Sequence, residues 1–395
     1  MPDITPTSLE PHRQMLVDFR RDLHRHPELG FEETRTAAKI ATALRDLDME
    51  VHEGIGGTGV VGILRHGGGN RTIMLRADMD ALPITETSKH GYSSKVVGKM
   101  HACGHDGHST MLLGAAHYLS ENPLFDGTVI FLFQPNEEHG LGAKAMLKDG
   151  LVSRFQPDET YGIHNLPGAP LGEFSTREGT ICASESLFEF EIFGQGGHAS
   201  MPQAGVDAIL VGSELVQALQ NIVARKLAPS SAAVVSVTEF ITDGQRNVLP
   251  GHAILKGDTR SFTPADRARI EQLMRQIAKG IAIAHDVKIE VRFQTEFMET
   301  INAAEQAKAA MQAAAGVSDL VVPDRTRMTF SEDFGCLSAE IPGCFILMGN
   351  GTEYPYNQPL HASDYNFNDD ALTLGAAFWA QLVSERLPAK GCQNV

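Results

Sequence analysis

The stretch GTVIFLFQPNEEHG, residues 127–140, decides how this chain folds. Val129 to Phe133 is an unbroken apolar run with no position reserved for water, the mark of a strand covered on both faces as in a parallel sheet. The run then gives way to proline, asparagine, two glutamates, a histidine and a glycine, so the strand ends in a polar loop. GVVGIL, TIMLRADMD and TYGIHN are further short apolar runs, separated by glycine turns and helical stretches, and the pattern predicts a helix from Ser109 through Leu119. Strands alternating with helices imply a largely parallel sheet, in which ligands sit beyond the carboxyl ends of strands. Those ends hold Asp78 and Asp80 in LRADMDALP, the glutamates of QPNEEHG, and His164 in TYGIHN.

Working outward, PHRQMLVDFRRDLHRH places Met15, Leu16, Phe19 and Leu23 at three-and-four spacing, an amphipathic helix stopped by Pro27 and Gly30. From about Ser184 the period changes to two, with Phe188, Phe190 and Ile192 alternating with Glu189 and Glu191. A helix near Val206 to Arg225, the strands AAVVSVTEF and HAILKGDTRSF, a helix opened by Thr263, Pro264 and Asp266, and the strand VKIEVRFQ follow. This β, α, β, β, α, β order is that of a ferredoxin-like sandwich. Afterwards the chain returns to a helix (AAEQAKAAMQAAAG), a strand (GCFILMG) and a last helix near Ala371 to Leu382. The expected class is therefore α/β: a mostly parallel sheet with helices on both faces, built from residues 1–183 and 298–395, with an inserted ferredoxin-like α+β domain at 184–297.

Composition agrees with two bodies, since 395 residues exceed what one core usually serves. The 33 Lys and Arg against 49 Asp and Glu leave −16 without a clear basic stripe, which speaks against nucleic acid or an anionic membrane as partner. No apolar run is long enough for a membrane span, and MPDITPTSLEPHRQ lacks a signal peptide's features, so a cytoplasmic protein is expected. Cys103, Cys182, Cys336, Cys344 and Cys392 are odd in number and scattered, unlike a disulfide framework.

The 16 histidines are the unusual component. His101, Cys103, His105, Asp106 and His108 stand in one glycine-spaced run, donor types able to fold around an ion. Alone, the run weighs no more than a polar helix start capped by Ser109. Glu137 and Glu138 can divide their roles, one facing a cation while the other takes a proton from water. A solvated acidic turn is the commoner fate of such a pair, and His164 and His361, in NQPLHASDYN, would singly read as structural. Together, several strand ends bearing Cys, His, Asp and Glu make a set large enough for two ions sharing a ligand, with Asp78 or Asp80 fixing a histidine's tautomer.

RRDLHRHPELGFEE at 20–33, RADMDALP, MHACGHDGH, QPNEEHG, GIHN, GGHASMP, NVLP, SEDFG and PLHASDYNFND, in this order, resemble the M20 family of metallopeptidases and amidohydrolases. Within it they are similar to the N-acyl-amino-acid amidohydrolases, a subfamily that includes hippurate hydrolases, aminoacylase-like enzymes and auxin-conjugate hydrolases. The resemblance implies a binuclear centre with Cys103 as bridging thiolate, His105 and Glu138 completing one ion, and His164 and His361 the other. It makes Glu137 the general base and acid and Asp80 the group that orients His105. Two divalent ions per subunit are implied, zinc or manganese foremost, with cobalt and nickel as further occupants.

The same resemblance makes the inserted domain a lid and dimerisation domain. His198 in GGHASMP would polarise the scissile carbonyl, in its own chain or a dimer mate, and Asn247 and Arg260 would hold the substrate. Arg260 suits a free carboxylate, which it can grip through two parallel hydrogen bonds. The implied activity is hydrolysis of the amide of an N-acylated or N-aroylated amino acid, in a homodimer or higher homo-oligomer. A dipeptidase, a deacetylase of a biosynthetic intermediate, a thiol enzyme using Cys103 and a non-catalytic metal binder are the alternatives. The chain departs from the subfamily at Asn136 and His139, which flank the glutamate pair where small residues and glycines are usual. It departs again at Ala362 and Ser363, which follow His361 in place of asparagine and proline.

Overall fold

The computed structural model describes residues 4–389, so Cys392 lies outside the described residues. These divide into two compact units. One comprises the chain up to Ile181, Thr300–Thr326 and the residues from Asp333 onward, and the other comprises Cys182–Glu299 and Arg327–Glu332. Residues 327–332, left with the first body by the sequence reading, belong to the second because Ala183 N–H donates to the carbonyls of Met328 and Phe330. Among the described residues no helix is long and apolar enough to cross a membrane.

The first unit is built on an eight-stranded sheet in the order Glu50–Ile55, Gly59–His66, Gly127–Gln134, Thr72–Asp78, Glu159–Pro167, Gly343–Gly351, Phe174–Ser175 and Val321–Val322. The strands 127–134, 72–78, 159–167 and 343–351 run parallel at its centre, whereas 50–55 and 59–66 extend one edge as an antiparallel hairpin. Val129 to Phe133 are almost fully buried, as a strand flanked by neighbours and covered on both faces must be. The helix Thr34–Arg45 and strand 50–55 escaped the periodicity reading. Helix His105–Glu121 packs on Arg13–Arg25 and on Ala371–Arg386, and the last of these continues well beyond the predicted Leu382.

That helix also starts a full turn earlier than the Ser109 predicted. Gly104, at φ +98°, turns the chain in the left-handed region, and a Cβ there would lie 2.4 Å from Asn165 Oδ1. The helix therefore opens on His105. Ser109 does not cap it; its hydroxyl donates to the Asp78 carbonyl at 2.8 Å, pinning the helix to the end of strand 72–78.

The second unit is a four-stranded antiparallel sheet in the order Ala233–Thr242, His252–Ser261, Ser184–Phe193, Lys288–Phe297. Helices Ala208–Asn221 and Pro264–His285 complete the ferredoxin-like order, and Phe188, Phe190 and Ile192 point into its core. Asp207 caps the first helix, which begins at Ala208, two residues later than the predicted Val206, and Thr263 caps the second by accepting Asp266 N–H at 3.0 Å.

Candidate metal centre

The carboxyl ends of the central strands converge on one buried cluster. Asp78 ends its strand with Asp80 just beyond, Glu137 and Glu138 follow strand 127–134, and His164 lies within strand 159–167. Cys103 and His105 enter from the loop and first turn of helix 105–121. His361 joins from the loop after strand 343–351, held at φ +66° with its N–H donating to the Ala102 carbonyl at 2.8 Å.

Cys103 Sγ lies 3.3 Å from His164 Nε2, and His361 Nε2 lies 3.4 Å from Glu138 Oε2. His105 Nε2 faces Glu138 Oε1 at 3.8 Å and Glu137 Oε2 at 3.9 Å. Donor atoms of Cys103, His105 and His164, of Cys103, Glu138 and His361, and of His105, Glu137 and Glu138 each fall within 4.8 Å of one another. The structure thus brings together Cys103, His105, Glu137, Glu138, His164, His361 and Asp80.

Two of the histidines, His105 and His164, are aimed by their other nitrogen. His105 Nδ1 is 3.1 Å from Asp80 Oδ1, and Asp80 Oδ2 accepts the Glu138 backbone N–H at 3.1 Å, so one carboxylate positions two donors. His164 Nδ1–H donates to the Asn165 carbonyl at 2.7 Å, leaving the Nε2 lone pair of the neutral ring toward Cys103.

The cluster fits a divalent cation better than it fits itself. His105 Nε2 and Glu138 Oε1 are both buried and have no hydrogen-bond partner. An unmatched buried polar atom costs about 1–3 kcal/mol, so a pair left 3.8 Å apart marks a place for a ligand to both. Without a cation the cluster is crowded with protons. Burial, helped by Asp80 and Asp78, pushes Glu138 up to about 8 against the pull of His105. Burial would depress His105, but Asp78, Asp80 and Glu138 outweigh it and raise the ring to about 10. Burial and then the glutamates drive the Cys103 thiol well above its usual range, whereas burial and then His108 hold His164 well below its own. Soft thiolate, imidazole and carboxylate together suit a borderline transition cation.

Behind the cluster lies a network that sequence reasoning missed. Arg76, fully buried, donates to Asp78 Oδ2 at 2.7 Å, Asp333 Oδ1 at 2.8 Å and Gln134 Oε1 at 2.9 Å. Gln134 Nε2 donates in turn to Asp333 at 2.8 Å. Asp78 spends its other oxygen on His108 Nδ1, at 2.6 Å, so it supports the cluster from behind. The available signals were a lone arginine inside the apolar strand TIMLRAD and the acidic SEDFG. Glu33 also escaped notice: it accepts the Asn136 N–H at 2.9 Å and the Thr58 hydroxyl at 2.6 Å, and burial raises it to about 7.

The two departures around the glutamate pair prove to be one feature. Asn136, at φ +46°, and His139 hydrogen-bond through Oδ1 and Nδ1 at 2.7 Å, closing a turn around Glu137 and Glu138 while the His139 ring faces solvent.

His198, Asn247 and Arg260 all belong to the second unit. His198 is exposed on a short ribbon beside Val248, and its Nδ1 accepts Ser200 N–H at 3.1 Å, which leaves a hydrogen on Nε2 of the neutral ring. Asn247 is exposed next to it, its carbonyl taking Ala199 N–H at 3.1 Å. Arg260 is already committed, to Asp258 at 2.9 Å, Glu185 at 2.7 Å and Ser331 at 2.9 Å.

Comparison with known proteins follows the same lines. The model of peptidase family M20/M25/M40 matches residues 74–385. A hippurate hydrolase of Campylobacter jejuni is 39% identical over 372 residues, 93% of this chain and 96% of that protein. An N-acetylcysteine deacetylase of Bacillus subtilis is 35% identical over 370 residues, 93% of this chain and 95% of its own. Among solved structures, a dinuclear metal binding peptidase of the M20 family from Bacillus subtilis is 32% identical with a TM-score of 0.84, covering 96% of this chain and 99% of that one.

Proposed function

Because the chain belongs to peptidase family M20/M25/M40 and is a hydrolase of amide bonds, we propose that its substrate is an N-acylated or N-aroylated amino acid with a free carboxylate. The observation that supports the hydrolytic part of this reading is Glu137, a 5% exposed carboxylate with an oxygen within 4.8 Å of donor atoms of His105 and Glu138. Cys103, His105, Glu138, His164 and His361 would hold two divalent ions, with zinc or manganese foremost and cobalt or nickel as further candidates. Bound there, such ions supply Lewis acidity toward the scissile carbonyl and make water more acidic.

The residues do the rest. Glu137 takes a proton from the attacking water and delivers it to the departing amine, so one carboxylate serves as base and then acid. Asp80 keeps His105 and Glu138 in place throughout. Roles for His198 as carbonyl polariser and for Asn247 and Arg260 as substrate contacts rest on their motifs, and His198 is supported by the Nε2–H that Ser200 leaves available.

A homodimer is proposed with this activity, supported by the exposed Val234, Phe240 and Ile241 on the edge strand 233–242. A reducing, cytoplasmic setting is supported by Cys103, Cys182, Cys336 and Cys344, all buried and, among the described residues, none in a disulfide. The test is a panel of N-acetyl, N-benzoyl and N-carbamoyl amino acids beside a free-amine dipeptide, with the chelated enzyme reloaded one metal at a time. Turnover confined to acylated amino acids supports the proposal. Preference for the dipeptide, or activity that survives chelation, refutes it.

A further inference from the structure

Helix 105–121 carries a second group of donor side chains at its far end. His117 and Glu121 are four residues apart and so share a face, and His12, the last residue of the 3₁₀ turn Pro6–His12, lies against them. One donor atom from each of the three falls within 4.8 Å of the other two. His12 Nε2 and Glu121 Oε2 are 3.3 Å apart. In a tetrahedral site with donors at about 2.1 Å, two ligands stand roughly 3.4 Å from each other, so this pair already has the spacing of neighbours on one ion. The His12 and His117 rings are tilted by 39° with centroids 5.9 Å apart, an arrangement that stacking does not explain.

Protonation offers a competing account, in which His12 is charged and simply pairs with Glu121. That pairing accounts for His12 and Glu121 but not for the His117 donor atom, which lies within 4.8 Å of both. A cation uses all three residues at once. Two neutral imidazoles and one carboxylate select borderline transition ions over calcium or magnesium. About 18 Å of helix, at 1.5 Å per residue, separates His117 from His105, so the group is independent of the candidate centre.

We propose that His12, His117 and Glu121 form a surface binding site for a zinc-class divalent cation, fastening the turn 6–12 to helix 105–121. Glu121 is the most open of the three, its side chain 56% exposed against 14% for His12, so the ion would enter from its side with water completing the shell. The test is the zinc content of the full chain after equilibrium dialysis at micromolar free zinc. His117→Ala should bind one ion fewer per chain than the unaltered protein, with kcat unchanged. His12→Gln and Glu121→Gln should show the same loss, which keeps the test decisive if His117→Ala does not fold. Equal zinc content in all the variants, or a loss confined to one of them, would overturn the site.

Discussion

The two units hold their chemistry-bearing residues under opposite conditions. In the first, His105 Nε2 and Glu138 Oε1 are buried without partners while neighbouring groups hold their side chains in position. In the second, Arg260 is 22% exposed with every nitrogen matched, and His198 faces solvent. Burying unmatched donors costs stability, so a fold that retains them needs a ligand to account for it. A matched or exposed side chain carries no such cost and gives geometry less to say. The contrast separates residues whose need for a ligand shows in the free chain, as buried unmatched atoms, from those that carry no such mark.

The sharpest way to break the contrast is at Glu137. Glu137→Gln keeps the shape and removes the base, so kcat should fall by about 10³-fold, within the usual range for a general acid–base group. Metal content should stay near that of the parent, because the remaining donors are untouched. A variant with near-full turnover would remove Glu137 from the mechanism, and one that lost its metal would make it a ligand instead.

How much of this was legible in the sequence follows from the same contrast. The parallel core and the donors were readable because each lies in a short consecutive stretch, such as 127–140 or 101–108, whose period or composition changes at the strand end. The Arg76–Asp333 bridge was not, since 257 positions separate the partners, and a lone arginine in an apolar strand and an acidic SEDFG do not point to each other. Asn136 and His139 looked like two unrelated departures, although they lie three positions apart, because only the left-handed turn at Asn136 brings them together. The start of helix 105–121 was misplaced for a related reason. Ser109 has the right chemistry for a cap, but the tertiary contact with Asp78 claims its hydroxyl.

A smaller effect is expected in the second unit. Arg260→Ala should raise KM about tenfold for substrates with a free carboxylate, the range for loss of a charge-assisted pair, with little change for their amides. Because Asp258 and Glu185 now occupy the guanidinium, the substrate carboxylate must compete with them. Asp258→Asn should therefore lower KM if Arg260 grips substrate. If Arg260→Ala raises KM equally for carboxylates and amides, the arginine serves the fold of its own unit.

A last effect isolates the first unit alone. In the cation-free chain Glu138 titrates near 8 and His105 near 10, and the Cys103 thiol lies well above its usual range, so at pH 7 all three carry protons that a cation must displace. Zinc binding should release roughly two to three protons per chain, measured by calorimetry in buffers of different ionisation heats. Protons leave on binding, so apparent affinity must rise with pH, roughly tenfold per unit for each proton released, until pH passes about 8 and Glu138 no longer contributes. Asp80→Asn should blunt this release, since Asp80 helps raise both His105 and Glu138, whereas Arg260→Ala should leave it unchanged. Equal proton release from all three chains would mean that the carboxylates beneath the cluster do not govern its charge, and the contrast between the units would lose its electrostatic basis.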